Sequence, residues 1–333
     1  MAATMKDVAA LAGLSIGTVS NYFSGKVAVS EEKSRRIEKA IEQLHYQLNP
    51  VARTLKTNQH HMIGVLIPDF QNVYVVRVIS YMEELLQSRG YSMLVVSCHH
   101  RDEQQEERLR YLLARVDGIL YMPARITPSL QRCVETIRQT VPVVAFNEVV
   151  EGVECDHVLV DSAAAVEKAI TTLIEKGHRK IGMLAGPREV YTSRQRLAAY
   201  RNAFRESGLA LDESLVMFGD YSRRTGVRQC RELLEAHPDM TALFSVGYRM
   251  TLGALDVLGT TGAKDRVCVV GYDASDLEGI ISPKISYVYQ PYEEMARVAV
   301  ELMLRRIAKD MDGFPEAVEL TARICNLDAL ALR

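Results

Sequence analysis

The chain has no tryptophan and seven phenylalanines in 333 residues. Any aromatic face for stacking must therefore come from its fifteen tyrosines. It has no run of about 18 apolar residues, which excludes a membrane-spanning helix by length. No apolar signal region opens it, so a cytoplasmic protein is expected. Its six cysteines (Cys98, Cys133, Cys155, Cys230, Cys268, Cys325) form no Cys-x-x-Cys pair. Free, buried thiols in a reducing compartment fit better than a disulfide framework. The histidine pairs His60-His61 and His99-His100 are adjacent in sequence, and neighbours point apart on helix or strand, so no metal site is expected. There is no P-loop and no Gly-x-Gly-x-x-Gly after a strand; no catalytic residue or cofactor is assigned. A dominant charge is missing too, the net being −2. At 48% hydrophobic and 25% charged residues the composition is that of an ordinary globular protein, long enough for two or three domains.

What is present is concentrated first in Thr4 to Lys56. Thr4 is placed to cap a helix from Met5 to about Leu11, with Asp7 three residues on, close to a capping box. Gly13 ends it. Ser15 caps a second helix to about Ser24, and Ser30 a third to Leu44. Ala12-Gly13-Leu14 is the tight turn of a helix-turn-helix. Val8, Ala9, Leu11, Val19, Phe23, Ile37, Ile41 and Leu44 recur at three- and four-residue spacings, as one small core requires. The outer face of the second helix is small and polar: Ser15, Gly17, Thr18, Ser20, Asn21. Such a face fits a major groove, although a helical dimerisation module has the same spacing. Asn49 to Lys56 reads as a short helix with Pro50 at its first position. It reads equally as a linker, being too short to hold alone in water. Residues 1–61 carry eight Lys/Arg against five Asp/Glu, a net of +3 that leaves −5 for the remainder. That asymmetry fits phosphate contact confined to the head.

The runs DVAALAGLSIGTVSNYFSG and SEEKSRRIEKAIEQLHYQLNPVARTL closely resemble the head of the LacI/GalR family of bacterial transcriptional regulators. The family pattern is D-V-A-x-x-A-G-V-S-x-x-T-V-S-R-x-L-N-G, followed by N-x-x-A-R-x-L. The resemblance implies DNA contacts from Thr4, Ser15, Ile16, Gly17, Thr18, Ser20 and Asn21. It also implies a hinge helix, folded on operator DNA in the minor groove, with contacts from Asn49, Ala52, Arg53, Leu55 and Lys56. Leu55 matches the wedge that pries open a base step. The frequent arginine after T-V-S is Asn21 here, suited to adenine, and Ile16 suits a thymine methyl.

From Met62 apolar runs alternate with helical stretches. Ten strands are expected: Met62–Ile67, Ser92–Ser97, Gly118–Met122, Val141–Phe146, His157–Val160, Lys180–Ala185, Leu215–Phe218, Ala242–Val246, Val267–Val270 and Ile285–Tyr289. Helices are expected near 74–89, 103–115, 128–139, 162–176, 192–207, 223–236, 249–258 and 292–309. The rhythm predicts an α/β body with parallel, doubly wound sheets, and ten strands suit two sheets better than one. The body is similar to the family's effector domain, which is periplasmic-binding-protein-like and two-lobed. The implied organisation is a helix-turn-helix head over 1–48, a hinge and linker over 49–61, and an effector-binding domain over 62–333. Lobe one is expected at about 62–160 and 291–316 and lobe two at about 161–290 and 317–333, with crossings near Asp161, Pro291 and Ala317.

The motif GHRKIGMLAGP…SRQRLAAYRNAF matches the family at the position of its ligand-binding arginine, Arg196. A guanidinium offers a planar fork, while the spacing alone also fits a surface arginine. Asp273 in VVGYDAS matches a ligand contact or caps a turn. Asp161 matches a contact or caps a helix. Tyr74, Tyr221 and Thr192 complete the candidate effector site. The family's Asn-Asp pair has become Gly247-Tyr248, followed by Arg249. This removes a hydroxyl contact and suits an anionic or flatter ligand.

The expectation is a ligand-responsive DNA-binding repressor. It binds a near-palindromic double-stranded operator and takes a small effector: a sugar, sugar acid or sugar phosphate. The last strand is followed by no leucine-heptad tail of the kind that makes family tetramers, so a homodimer is expected. A solute-binding protein and a cytosolic sugar-active α/β enzyme are the competing readings. Leu55→Ala is expected to weaken operator binding in a gel shift and leave effector affinity nearly unchanged; equal loss of both would remove Leu55 from the hinge.

Overall fold

A computed structural model of the chain describes residues 3–24, 27–46, 59–277 and 285–330. It divides into two compact units, Met1–His60 and His61–Arg333. Among the described residues there are eleven α-helices and twelve β-strands.

The first unit holds α1 (Met5–Ala12), α2 (Ile16–Ser24) and α3 (Glu31–Leu44). Thr4 and Asp7 form a reciprocal capping box, with Thr4 N donating to Asp7 Oδ2 at 2.8 Å. Gly13 ends α1 in the left-handed region at φ 63°. A side chain there would also collide with Arg36, whose Nη2 donates to Gly13 O at 3.2 Å. Val8, Ala9, Ala12, Val19, Ile37 and Ala40 form the core, and Phe23, Ile41 and Leu44 pack on it. Leu11, expected inside, is 50% exposed. Ala12 takes its place because the buried stripe of α1 runs through positions 8, 9 and 12.

The second unit holds two six-stranded sheets. Sheet one contains β1 (Met62–Ile67), β2 (Ser92–Ser97), β3 (Gly118–Tyr121), β4 (Val143–Phe146), β5 (Asp156–Asp161) and β11 (Ala317–Thr321). Its order is β11-β5-β4-β3-β1-β2, parallel throughout. Sheet two contains β6 (Ile181–Ala185), β7 (Val216–Phe218), β8 (Ala242–Ser245), β9 (Cys268–Tyr272), β10 (Ser286–Tyr289) and β12 (Arg323–Cys325). Its order is β12-β10-β9-β8-β6-β7, parallel except for the β10/β12 pair. Both sheets therefore reverse strand order beside their first strand, where α/β sheets bind ligands. The helices between strands are α4 (Val73–Ser88), α5 (Asp102–Leu113), α6 (Pro128–Arg138), α7 (Ala163–Glu175), α8 (Tyr191–Glu206), α9 (Arg223–Ala236), α10 (Tyr248–Thr260) and α11 (Tyr292–Ile307). Buried apolar side chains cover both faces of each sheet.

The chain passes between sheets after β5, at Gln290-Pro291, and at Ala322. The third passage was expected at Ala317 and is five residues later, because Ala317–Thr321 pairs with β5 in sheet one. This strand and β12 carry no apolar run. Their exposed and partly buried residues mark them as sheet-edge strands, which apolar runs do not reveal. All six cysteines are free, five of them buried. Among the described residues no helix is long and apolar enough to cross a membrane.

Arg306 of α11 anchors the start of β5. Its Nε and Nη2 meet both oxygens of Asp156 at 2.8 and 3.0 Å, and Nη2 also reaches Glu316 at 2.9 Å. The two side chains of the Arg306–Asp156 pair are 1% and 0% exposed. Arg306→Ala leaves Asp156 buried without its cation and is expected to cost about 3–5 kcal/mol, read as a lower denaturation midpoint in urea. A shift within experimental error would show that the pair contributes nothing to stability.

Candidate functional site

In the first unit, Ser15 Oγ receives Thr18 N at 3.1 Å and lies 2.9 Å from Thr18 Oγ1, closing the first turn of α2. The run Gly13 to Gly17 has the Gly-x-Ser-x-Gly spacing of a hydrolase nucleophile turn. It lies between two helices rather than after a strand, and its serine is a cap. Thr4 caps α1 in the same way. Ile16 is 45% exposed, and Ser20 and Asn21 are partly buried on the same helix. A side chain added at Gly17 would meet only Ser15 Oγ, at 3.7 Å. The fold thus leaves room at Gly17 that the sequence does not use. Asn49, Ala52, Arg53, Leu55 and Lys56 lie outside the described residues.

In the second unit, the segments following the strands of both sheets meet around a cleft. Its empty volume is about 860 Å³, open mouth included. Tyr74, Thr192, Arg196, Tyr221 and Asp273 all line it. Asp161 does not: its Oδ1 accepts from Ala163 N at 2.9 Å, closing a turn just before α7, whose N-cap is Ser162.

α8 positions the central group. Its buried face carries Thr192, Arg196, Tyr200 and Phe204 at four-residue spacing. Tyr200 and Phe204 sink into the core of lobe two, so Arg196 is held one turn nearer the cleft. It is 6% exposed. Nη1 donates to Val246 O at 2.8 Å, Nη2 to Gln290 Oε1 at 3.1 Å, and the guanidinium carbon lies 4.0 Å from the Tyr272 ring centroid. Nε is buried without a partner. Burial opposes its charge, but Tyr272, Tyr221, Asp273 and Glu148 outweigh that and raise its pKa.

Asp273 stands in the left-handed region at φ 52° and accepts from Gln290 Nε2 at 2.8 Å. Burial pushes its pKa up to about 6, against the hydrogen bond from Gln290 and the nearby Arg196. Tyr74 begins α4, with its hydroxyl buried and unpartnered. Tyr221 is also left-handed, at φ 63°, and its ring lies on two glycines. A Cβ on Gly186 would come within 2.3 Å of the ring and one on Gly247 within 3.1 Å. The ring therefore excludes a side chain at Gly186, whereas one at Gly247 would only press it aside by a few tenths of an ångström.

Four residues of the cleft wall, Asp69, Asn147, Glu148 and Gln290, had no signal in apolar periodicity. Their common feature is position, one or two residues beyond the end of a strand. Glu148 matters most. It belongs to lobe one, yet it receives Thr192 N at 3.3 Å and the Thr192 hydroxyl, both from the first turn of α8. The N-cap of α8 is Val190, which supplies no cap of its own. A carboxylate from the opposite lobe thus closes the helix that carries Arg196. Burial pushes Glu148 up to about 7, with Thr192 and Arg196 acting against the shift. Arg77 Nη1 to Ser275 Oγ (2.8 Å), Arg194 Nη2 to Glu151 Oε1 (2.8 Å) and Arg249 Nη1 to Asp69 Oδ2 (3.7 Å) also join the lobes.

Comparison with known proteins follows this division. The family model for bacterial regulatory proteins of the lacI family matches residues 4–49, and that for a periplasmic binding protein-like domain matches residues 170–326. The HTH-type transcriptional repressor CytR of Escherichia coli (strain K12) is 31% identical over 306 residues, which is 91% of this chain and 89% of that protein. The structure of a transcriptional regulator CelR–cellobiose complex is 29% identical with a TM-score of 0.73, covering 97% of this chain and 98% of that one. A Lac repressor dimer bound to operator and the anti-inducer ONPF shares the fold, with a TM-score of 0.85 at 22% identity over 98% of each chain.

The two raised carboxyls give a pH signature. A carboxyl whose pKa is higher folded than unfolded stabilises the fold while protonated. That contribution is complete below its ordinary value and fades as pH climbs through the folded one. For Glu148 the window runs from 4.5 to about 7. The melting temperature of the second unit is expected to fall across this window. Glu148→Gln, which keeps the shape without the charge, should flatten the fall; equal slopes in wild type and variant would mean that Glu148 is not charged at a cost.

Proposed function

Because the chain belongs to the LacI family of bacterial regulatory proteins, we propose that it is a DNA-binding transcriptional repressor controlled by a small molecule held between the lobes of residues 62–333. The observation that carries the effector half of this reading is Arg196. Burying a charge costs several kcal/mol unless it is compensated. Here the guanidinium is aimed into an 860 Å³ cleft beside Tyr74, Tyr221 and Asp273, with Nε still unpartnered. That is a site prepared for a ligand with hydroxyl or carbonyl groups, and Tyr221 offers a ring face for stacking. A sugar, sugar acid or sugar phosphate is the proposed class, and the CelR relative bound to cellobiose supports it.

The head, residues 1–48, reads DNA with α2. Ile16 faces a thymine methyl and Asn21 an adenine; Thr4, Ser15, Gly17, Thr18 and Ser20 form the surrounding surface. Residues 49–61 supply the hinge, with Asn49, Ala52, Arg53, Leu55 and Lys56 in the minor groove. The protein works as a homodimer on a near-palindromic operator, in the cytoplasm with its DNA. Its role is binding and coupling between sites rather than catalysis, as in a relative that is itself a transcriptional repressor.

Gel shifts with genomic fragments at moderate salt test the DNA half: a specifically retarded fragment is expected, and none would count against a regulator. Arg196→Ala is expected to abolish the effector's influence on that shift while unliganded DNA affinity stays within about twofold, an energy difference below 0.5 kcal/mol. A normal effector response in this variant would remove Arg196 from the site.

A further inference from the structure

We propose that His157 positions the loop by which lobe one holds α8, and that protonating its ring releases that loop. The proposal needs no choice of effector. It concerns the segment between β4 and β5, residues 147–155, and not the contents of the cleft.

This loop makes two contacts with the opposite lobe. Glu148 accepts from Thr192 N and from the Thr192 hydroxyl, and Glu151 Oε1 accepts from Arg194 Nη2 at 2.8 Å. Both fall on the first turn of α8, the helix that carries Arg196. Within its own lobe the loop is held at three points. Asn147 N donates to Val158 O at 2.8 Å, Gln131 Nε2 of α6 to Glu151 O at 2.7 Å, and Val150 N to His157 Nε2 at 3.0 Å. The third lies between the two carboxylates. Of the three it is the only one whose acceptor can lose its lone pair to a proton near neutral pH.

Strand pairing fixes the backbone of His157 beside Ala145 on one side and Ala317 on the other, so the ring cannot follow the loop. An N–H aimed at Nε2 requires a lone pair there. The neutral ring therefore carries its hydrogen on Nδ1, where the Cys155 carbonyl accepts it. A second proton sets Nε2–H against Val150 N–H. Val150 is 1% exposed, so water reaches the abandoned N–H only if the loop opens.

The charged groups around the ring have partners of their own. Asp156 points to the other face of β5, into Arg306. Cys155 Sγ lies 3.8 Å from Nε2, and burial pushes that thiol up to about 12, so it stays neutral. On α6, Glu135 is bound by Arg138, which also lies 3.6 Å from Glu154. Beside β11, Glu316 is bound by Arg305 and Arg306, and Glu319 shares the ring's face of the sheet but is exposed. Burial holds the imidazole below its ordinary 6.5, against the Cys155 carbonyl and Asp156. The contact is thus complete above 6.5 and is lost as pH falls through the lower folded value.

The test uses the full chain without ligand, with nitrogen-labelled histidine for ring spectra and amide hydrogen exchange for the loop. At about pH 7.5 the His157 ring is expected as the Nδ1–H tautomer; a hydrogen on Nε2 there overturns the assignment. As pH falls to about 5, protection of residues 148–152 and of the first turn of α8, corrected for intrinsic rates, should drop by about tenfold or more. His157→Gln offers an acceptor at similar reach that does not titrate, and it should hold the protection across the range. His157→Leu should show the loss already at about pH 7.5. Flat protection in the wild type overturns the proposal. A fall that survives His157→Gln also overturns it, and if Glu148→Gln then abolishes that fall, the loop titrates at Glu148 instead.

Discussion

One buried charge organises the second unit. Arg196 cannot lie inside without compensation, and its partners come from well-separated parts of the chain. They are a carbonyl after β8, an amide at the passage out of β10, the ring of Tyr272 and the carboxylate of Asp273. Its helix depends in turn on Glu148 of the other lobe. The floor of the cleft, the seating of α8 and the contact between lobes are therefore one electrostatic assembly. Changing any part changes the environment of the guanidinium.

The fold was legible wherever burial left an apolar imprint. Interior parallel strands are covered on both faces and read as short apolar runs, and the edge strands β2 and β7 keep apolar runs as well, so β1 to β10 stand out from Met62 to Tyr289. At the opposite edges β11 and β12 are interrupted by Glu319, Thr321 and Arg323, so they left no such trace. That gap displaced the expected third passage. In the head, periodicity found Val8, Ala9 and Val19 but also admitted Leu11, because a leucine at a plausible spacing looks the same whether its neighbour is protein or water.

The site was legible in a different way. Spacing could not distinguish Arg196 from a surface arginine; resemblance to a motif did. The same resemblance put Asp161 into the site, where the structure has it closing the turn ahead of α7. Asn147, Glu148 and Gln290 were missed because a residue in a loop after a strand has no period to betray it. The replacement at Gly247 was visible, but its meaning was not. Only the structure shows that position 247 lies tight against the ring of Tyr221.

A last consequence follows from Ala322. It alone separates β11 in one sheet from β12 in the other, and its N–H donates to Asp161 O at 3.0 Å, where the chain first leaves sheet one. One residue spans at most about 3.6 Å, so the lobes have no slack with which to translate apart at this point. Two passages hydrogen-bonded side by side make a pivot, and motion between the lobes is reduced to rotation about it. Whatever molecule fills the cleft is registered by the protein as an angle rather than as a distance.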